Sequence, residues 1–188
     1  MEARQAGGTS QHAGGVFSAG EDALVLAWSF ADLLHAAHAS RAGGMSAPPA
    51  PLRTWTDHTL PVSALCVGGC GQHDLIASSS ADQTLRLWRL ADASRDGVYT
   101  ISLPAALTTI ALHPRQKAAY AGGADGQLYA VPLLLTEAGA PGGGGEGGGS
   151  GGGHIAASAS RAGPVRCITI SADGTRLYSC SAESGINK

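Results

Sequence analysis

His58, Ser78 and Asp82 are the residue types of acyl transfer, in which an imidazole takes a hydroxyl proton while a carboxylate holds its tautomer. That chemistry needs an accessible hydroxyl, and Ser78 is not set in the G-x-S-x-G turn that presents such a nucleophile. It stands instead in the apolar run Leu75-Ile-Ala-Ser-Ser79, so a hydrolase is the remote alternative. Of the four cysteines, only Cys66 and Cys70 are close, and no second pair completes a tetrahedral zinc set with them or with Cys167 and Cys180. All four are therefore expected as buried thiols on strands. His35 and His38 could share a helix face, but a third ligand is missing, and a solvated short helix is the expectation. Gly122-Gly-Ala-Asp-Gly126 is followed by strand-like sequence rather than the helix that a phosphate cradle uses. No catalytic, cofactor or metal site is expected.

The elements that would position these residues repeat. Ser18-Ala-Gly-Glu-Asp22 leads to Trp28, Ser78-Ser-Ser-Ala-Asp82 to Trp88, and Ala121-Gly-Gly-Ala-Asp125 to Val131. Each copy places small residues before an Asp and closes a β-rich run six residues after it. A further copy begins at Ser179-Cys-Ser-Ala-Glu183. Asp at the apex is hairpin chemistry, since it tolerates the turn and caps nearby N–H groups. Asp82 and Asp125 are 43 residues apart, the period of a four-stranded propeller blade. The neighbouring intervals of 60 and 58 residues are longer, and each contains loop-like excess, at 31–52 and in the glycine-rich 137–160. Residues 54–56 and 98–103 read as outer strands, and 62–67, 107–112 and 165–170 as inner ones.

Composition agrees with an interaction module. The net charge of -2 and the absence of a basic run speak against direct, sequence-specific nucleic-acid binding. No stretch approaches the roughly 20 apolar residues of a membrane helix, and the first residues lack the apolar core of a secretory leader. A soluble, intracellular, reduced protein is expected, with residues 1–15 as a disordered tail and 16–188 as the repeat domain.

The spacing of His58, Ser78, Asp82 and Trp88 resembles the WD-repeat family. The resemblance implies an all-β fold, an incomplete WD-repeat β-propeller with about three blades of a larger ring, and hence a fragment or truncated gene product. In that family the four residues form a buried chain in which imidazole joins Asp to Ser and the indole N–H terminates it. Breaking one link leaves the others unsatisfied at a cost of about 1–3 kcal/mol. The other copies carry partial sets. The first has Ser18, Asp22 and Trp28, with His12 a poor fit to the His position. The third has Asp125, with Ala121 and Val131 replacing Ser and Trp. The fourth has Ser179 and Glu183, with Arg161 where the second has His58. Blades lacking the full set are expected to rely on apolar packing.

Three ordered features narrow the resemblance: the insertion Ser29-Phe-Ala-Asp-Leu-Leu34 after Trp28, Trp55-Thr-Asp-His-Thr-Leu-Pro-Val62, and the Trp-less Tyr120-Ala-Gly-Gly-Ala-Asp-Gly-Gln-Leu-Tyr129. Together they resemble the WD repeat-containing protein 18 family of pre-rRNA-processing proteins, over residues 16–136 and 161–183. That resemblance implies a nuclear and nucleolar scaffold with no enzymatic activity. Its implied partners are helical-repeat scaffold subunits and precursors of the large ribosomal subunit. It also implies a part in removing the second internal transcribed spacer and a link to DNA replication initiation. A generic WD-repeat adaptor, such as a ubiquitin-ligase substrate receptor or a signalling scaffold, is the alternative.

Overall fold

The computed structural model describes residues 15–41, 48–70, 73–89, 99–115, 118–133, 155–157 and 163–181. The chain divides into two compact units, Met1–Ser18 with Leu26–Thr54, and Ala19–Val25 with Trp55–Lys188.

The first unit holds most of a three-stranded sheet, β1 (Gly15–Ala19), β2 (Val25–Ser29) and β3 (Arg53–Trp55), in that order. After β2 the chain turns into α1 (Phe30–Arg41), which Ser29 caps by accepting the Asp32 N–H on its hydroxyl at 3.2 Å. Asp32 in the first turn and His38 and Arg41 in the last suit the helix dipole. No residue of α1 is buried. Among the described residues, no three metal-ligating side chains come together.

The second unit contains three antiparallel sheets in chain order. β4 (Val62–Cys70), β5 (His73–Ser80), β6 (Thr84–Arg89) and β7 (Tyr99–Ser102) form a four-stranded meander. β8 (Leu107–Leu112), β9 (Ala118–Gly123), β10 (Leu128–Pro132) and β11 (Ile155–Ala157) form a second. β12 (Val165–Ile170) and β13 (Leu177–Ser181) form a two-stranded sheet. Four-stranded meanders in succession are blades of a β-propeller, in which short strands alternate with tight turns.

One local device builds the turns. Asp22, Asp82, Asp125 and Asp173 each accept, on Oδ1, the N–H two residues on, from Leu24, Thr84, Gln127 and Thr175. The residue after each Asp is left-handed, at φ 62° for Ala23, 66° for Gln83, 82° for Gly126 and 75° for Gly174. The carboxylate thus supplies the bond that holds a conformation which costs non-glycine residues about 1–2 kcal/mol.

Adjacent sheets of the second unit pack through their apolar faces. Leu75, Ala77, Leu85 and Leu87 of the β4–β7 sheet meet Leu107, Ile110, Leu112 and Val131 of the β8–β11 sheet in one buried cluster. Ala111 and Leu128 meet Val165 and Ile168 in another. Close approach is enforced at Gly122, where a Cβ would stand 2.7 Å from methyl carbons of both Thr109 and Val165. Polar stitches cross the same seams. The Leu112 N–H donates to Cys66 Sγ at 3.4 Å, and the Thr108 hydroxyl donates to the carbonyls of Val165 and Gly122.

Two expectations change. Residues 155–157, read as part of the glycine-rich loop, form β11, whose pairing with Leu128–Ala130 supplies the outer strand of that blade. The other residues of the 137–160 stretch lie outside the described residues, as do 1–14. Cys66 is only half-buried, and Cys167 and Cys180 are exposed rather than buried. The pleat explains the latter, because Val165 and Ile168 take the packed face and leave the cysteines on the opposite one.

Candidate functional site

His58 lies in the loop before β4, Ser78 near the end of β5, Asp82 in the β5–β6 turn and Thr84 at the start of β6. Antiparallel pairing of β4, β5 and β6 brings all four to one end of a single blade. His58 Nδ1 stands 2.8 Å from Asp82 Oδ2, and His58 Nε2 stands 2.7 Å from Ser78 Oγ. An ionised Asp82 can only accept, so Nδ1 carries the proton and Nε2 takes the Ser78 O–H. Asp82 Oδ2 also accepts the Thr59 N–H, and Oδ1 accepts the Thr84 N–H at 2.9 Å and the Thr84 O–H at 2.6 Å. Ser80 locks the frame, donating to the carbonyls of Leu60 and Pro61 and accepting the Asp82 N–H.

This arrangement has the connectivity of a Ser-His-Asp triad but not its access. Ser78 is 0% exposed and His58 5%, so the hydroxyl is closed off from any acyl group. A buried carboxylate with four donors is a structural clamp, since each buried polar group finds its partner.

The electrostatics follow from burial and these bonds. Burial lowers the His58 pKa, and the bond to Asp82 offsets only part of that. At Asp82 burial acts upward, but hydrogen bonds from Thr84, His58 and Thr59 outweigh it and hold the carboxyl at about 2, against an ordinary 3.8. Both groups bind protons less readily when folded than when unfolded. Their stabilisation is therefore full above the unfolded values and is lost as pH falls through the folded ones. Acid should weaken the fold from about pH 6.5 downward through His58. It should weaken it again between about pH 4 and 2 through Asp82. Urea midpoints measured from about pH 7 to 2 check this; a level or rising midpoint contradicts it.

Trp88 departs from the expected chain. It is 2% exposed and stands edge-on to His58 at 6.2 Å, but its Nε1 is buried without an acceptor. Its ring also leans on Trp55 at 5.6 Å, an aromatic contact that packs the indole without giving its N–H an acceptor. Thr84 is the fourth polar member instead, a residue that sequence reasoning passed over. Its signal was visible: a hydroxyl two residues after the turn Asp reaches that Asp's own carboxylate.

The other copies divide the parts differently. In the first, the Trp28 indole N–H donates to Ser18 Oγ at 2.9 Å and Asp22 caps its turn; His12 lies outside the described residues. In the third, the expectation of apolar packing alone is corrected. The Tyr129 hydroxyl donates to Asp125 Oδ2 at 2.5 Å, and burial, reinforced by that carboxylate, pushes the phenol up to about 12. Tyr129 is 2% exposed, and it stands where the first two copies have Leu26 and Arg86. In the fourth, Ser179 is exposed on β13, while Arg161 and Glu183 lie outside the described residues.

A second histidine was also missed. His113 is 5% exposed; its Nε2–H donates to the Gly174 carbonyl at 3.0 Å and its Nδ1 accepts the Arg115 N–H at 3.1 Å. It ties the β8–β9 turn to the β12–β13 turn, and its place in His113-Pro-Arg directly after an inner strand was the available clue.

The family described as WD domain, G-beta repeat matches residues 49–89 and 152–187. WD repeat-containing protein 18 of Bos taurus is 29% identical over 95% of this chain and 38% of its own length. The same-named Homo sapiens protein is 28% identical, again over 95% and 38%. Pre-rRNA-processing protein IPI3 of Yarrowia lipolytica is 33% identical over 63% of this chain and 26% of its own length. The chain thus spans between about a quarter and little more than a third of the length of these curated relatives. With the meanders, the turn aspartates and these matches together, the chain is one that carries WD repeats in propeller blades and is similar to WD repeat-containing protein 18 and the pre-rRNA-processing protein IPI3.

Proposed function

We propose that this chain acts as a protein-interaction scaffold in maturation of the large ribosomal subunit, within a nuclear and nucleolar pre-rRNA-processing complex. The observation that carries the reading is similarity along 95% of the chain to WD repeat-containing protein 18, joined by similarity to fungal proteins named for pre-rRNA processing. The site supports a non-enzymatic role, because its Ser-His-Asp constellation is buried and spent on holding a blade. Its partners on this reading are helical-repeat scaffold subunits and large-subunit precursor particles. Function there extends to removal of the second internal transcribed spacer, with a link to replication initiation. Binding rests on blade surfaces and turns, which a rigid sheet framework presents.

Affinity purification of the tagged chain from nuclear extract tests this. Enrichment of RNA that still contains the second internal transcribed spacer, together with a helical-repeat subunit, is the expected result. Recovery of cullin adaptors without precursor RNA would replace the reading with that of a ubiquitin-ligase substrate receptor.

A further inference from the structure

Cys167 on β12 and Cys180 on β13 are direct partners in the antiparallel register, and both thiols are free and exposed. The register shift between Val165 and Cys167 resets the alternation of β12. Ile168 and Ile170 then turn toward the β8–β11 sheet, and Cys167 and Thr169 turn away from it. Directly opposed residues share a face, so Cys180 and Tyr178, which is 52% exposed, lie on that outer side too.

The ladder fixes the spacing of the pair. The Ser171 N–H donates to the Arg176 carbonyl at 2.9 Å, which makes that rung the hydrogen-bonded kind. Rungs alternate, so Tyr178 with Thr169, and then Cys180 with Cys167, belong to the same kind. Their Cα atoms are then about 5.5 Å apart, within the roughly 4.4–6.8 Å that a disulfide spans. Their Cβ atoms fall toward the wide end of the about 4.5–5.5 Å of cross-strand pairs, where a disulfide wants roughly 3.5–4.5 Å. Closure therefore draws the strands together slightly and leaves a bond that thiols readily reopen.

We propose that Cys167 and Cys180 form a reversible cross-strand disulfide that pins β13 to β12 under oxidising conditions. This modification is independent of the proposed role in ribosome maturation. The oxidant is a small-molecule disulfide such as oxidised glutathione. One cysteine thiolate attacks a glutathione sulfur and releases the first glutathione thiolate. The second cysteine thiolate then attacks the protein sulfur of the mixed disulfide and releases the other. Two protein thiols lose their protons, one disulfide is reduced, and two glutathione thiols form.

The test incubates the folded chain with oxidised glutathione, blocks free thiols, and digests with trypsin without reductant. Cleavage after Arg166 and Arg176 puts the two cysteines on separate peptides, 167–176 and 177–188. These are expected to run as one joined species that dithiothreitol separates. The Cys180→Ser chain is expected to keep a glutathione adduct on Cys167 instead. In urea, where register is lost, the joined pair should give way to a mixture that includes Cys66 and Cys70. Persistent glutathione on both cysteines of the folded chain, links to Cys66 or between two chains, or equal yield of the joined pair in urea would overturn the proposal.

Discussion

Asp82→Ala is expected to lower the stability of the second unit by about 3 kcal/mol. The carboxylate receives His58 Nδ1–H, the Thr59 N–H and both donors of Thr84, and alanine replaces none of these acceptors. His58 is 5% exposed, so its orphaned N–H cannot turn to bulk water, and the Ser78 hydroxyl behind it loses its fixed acceptor as the ring loosens. Gln83 makes matters worse, because its left-handed backbone is held by the Asp82 bond to the Thr84 N–H. Asp82→Asn keeps one acceptor oxygen and should cost about half as much. Urea unfolding followed by tryptophan fluorescence reads both, as Trp55 and Trp88 pack together beside the network. Acid should also weaken the Asp82→Ala chain less between about pH 4 and 2, since the depressed carboxyl is gone. A loss below about 0.5 kcal/mol, the level of an ordinary surface change, would show that the network is not a clamp.

The parts of this fold that were legible in the sequence are those made by local rules. An Asp with small residues ahead of it specifies its hairpin almost alone, as four turns among the described residues show. Leu85 and Leu87 alternate with Thr84 and Arg86 and reach the core as that alternation requires. What escaped the reading depends on how strands and sheets meet. The Tyr129 hydroxyl meets Asp125 across the turn, four positions earlier in the same hairpin, a bond that the repeat pattern does not contain. β10 ends at Pro132 and β11 begins only at Ile155, beyond the glycine-rich tract, so a strand of three residues gave no periodic signal. The indole of Trp88 shows the limit from the other side. The family resemblance implied that its N–H ends the chain at Ser78, whereas the ring packs on Trp55 and His58 and Nε1 meets no acceptor.

Gly174→Ala is expected to cost about 3 kcal/mol, by two mechanisms that can be separated. The first is backbone strain, because φ at Gly174 is 75°, and an alanine there costs about 1 kcal/mol. The chain already tolerates that much at Ala23, whose φ is 62°. The second is collision, since the new Cβ would stand 2.5 Å from His113 Cε1 and 2.8 Å from Nε2. The ring must swing away, which breaks the Nε2–H bond to the Gly174 carbonyl and the Nδ1 bond from the Arg115 N–H. Both turns then come loose from each other, at about 2 kcal/mol beyond the strain. A double-mutant cycle isolates this part. His113→Ala removes the ring, so Gly174→Ala made in that background should cost only the strain of about 1 kcal/mol. The pair is therefore expected to be less destabilising than the sum of its members by about 2 kcal/mol, read from urea midpoints at constant slope. Strict additivity would mean that His113 does not hold the β12–β13 turn against the preceding blade, and that other contacts, among them Val165, Ile168 and the Thr108 hydroxyl, hold this seam.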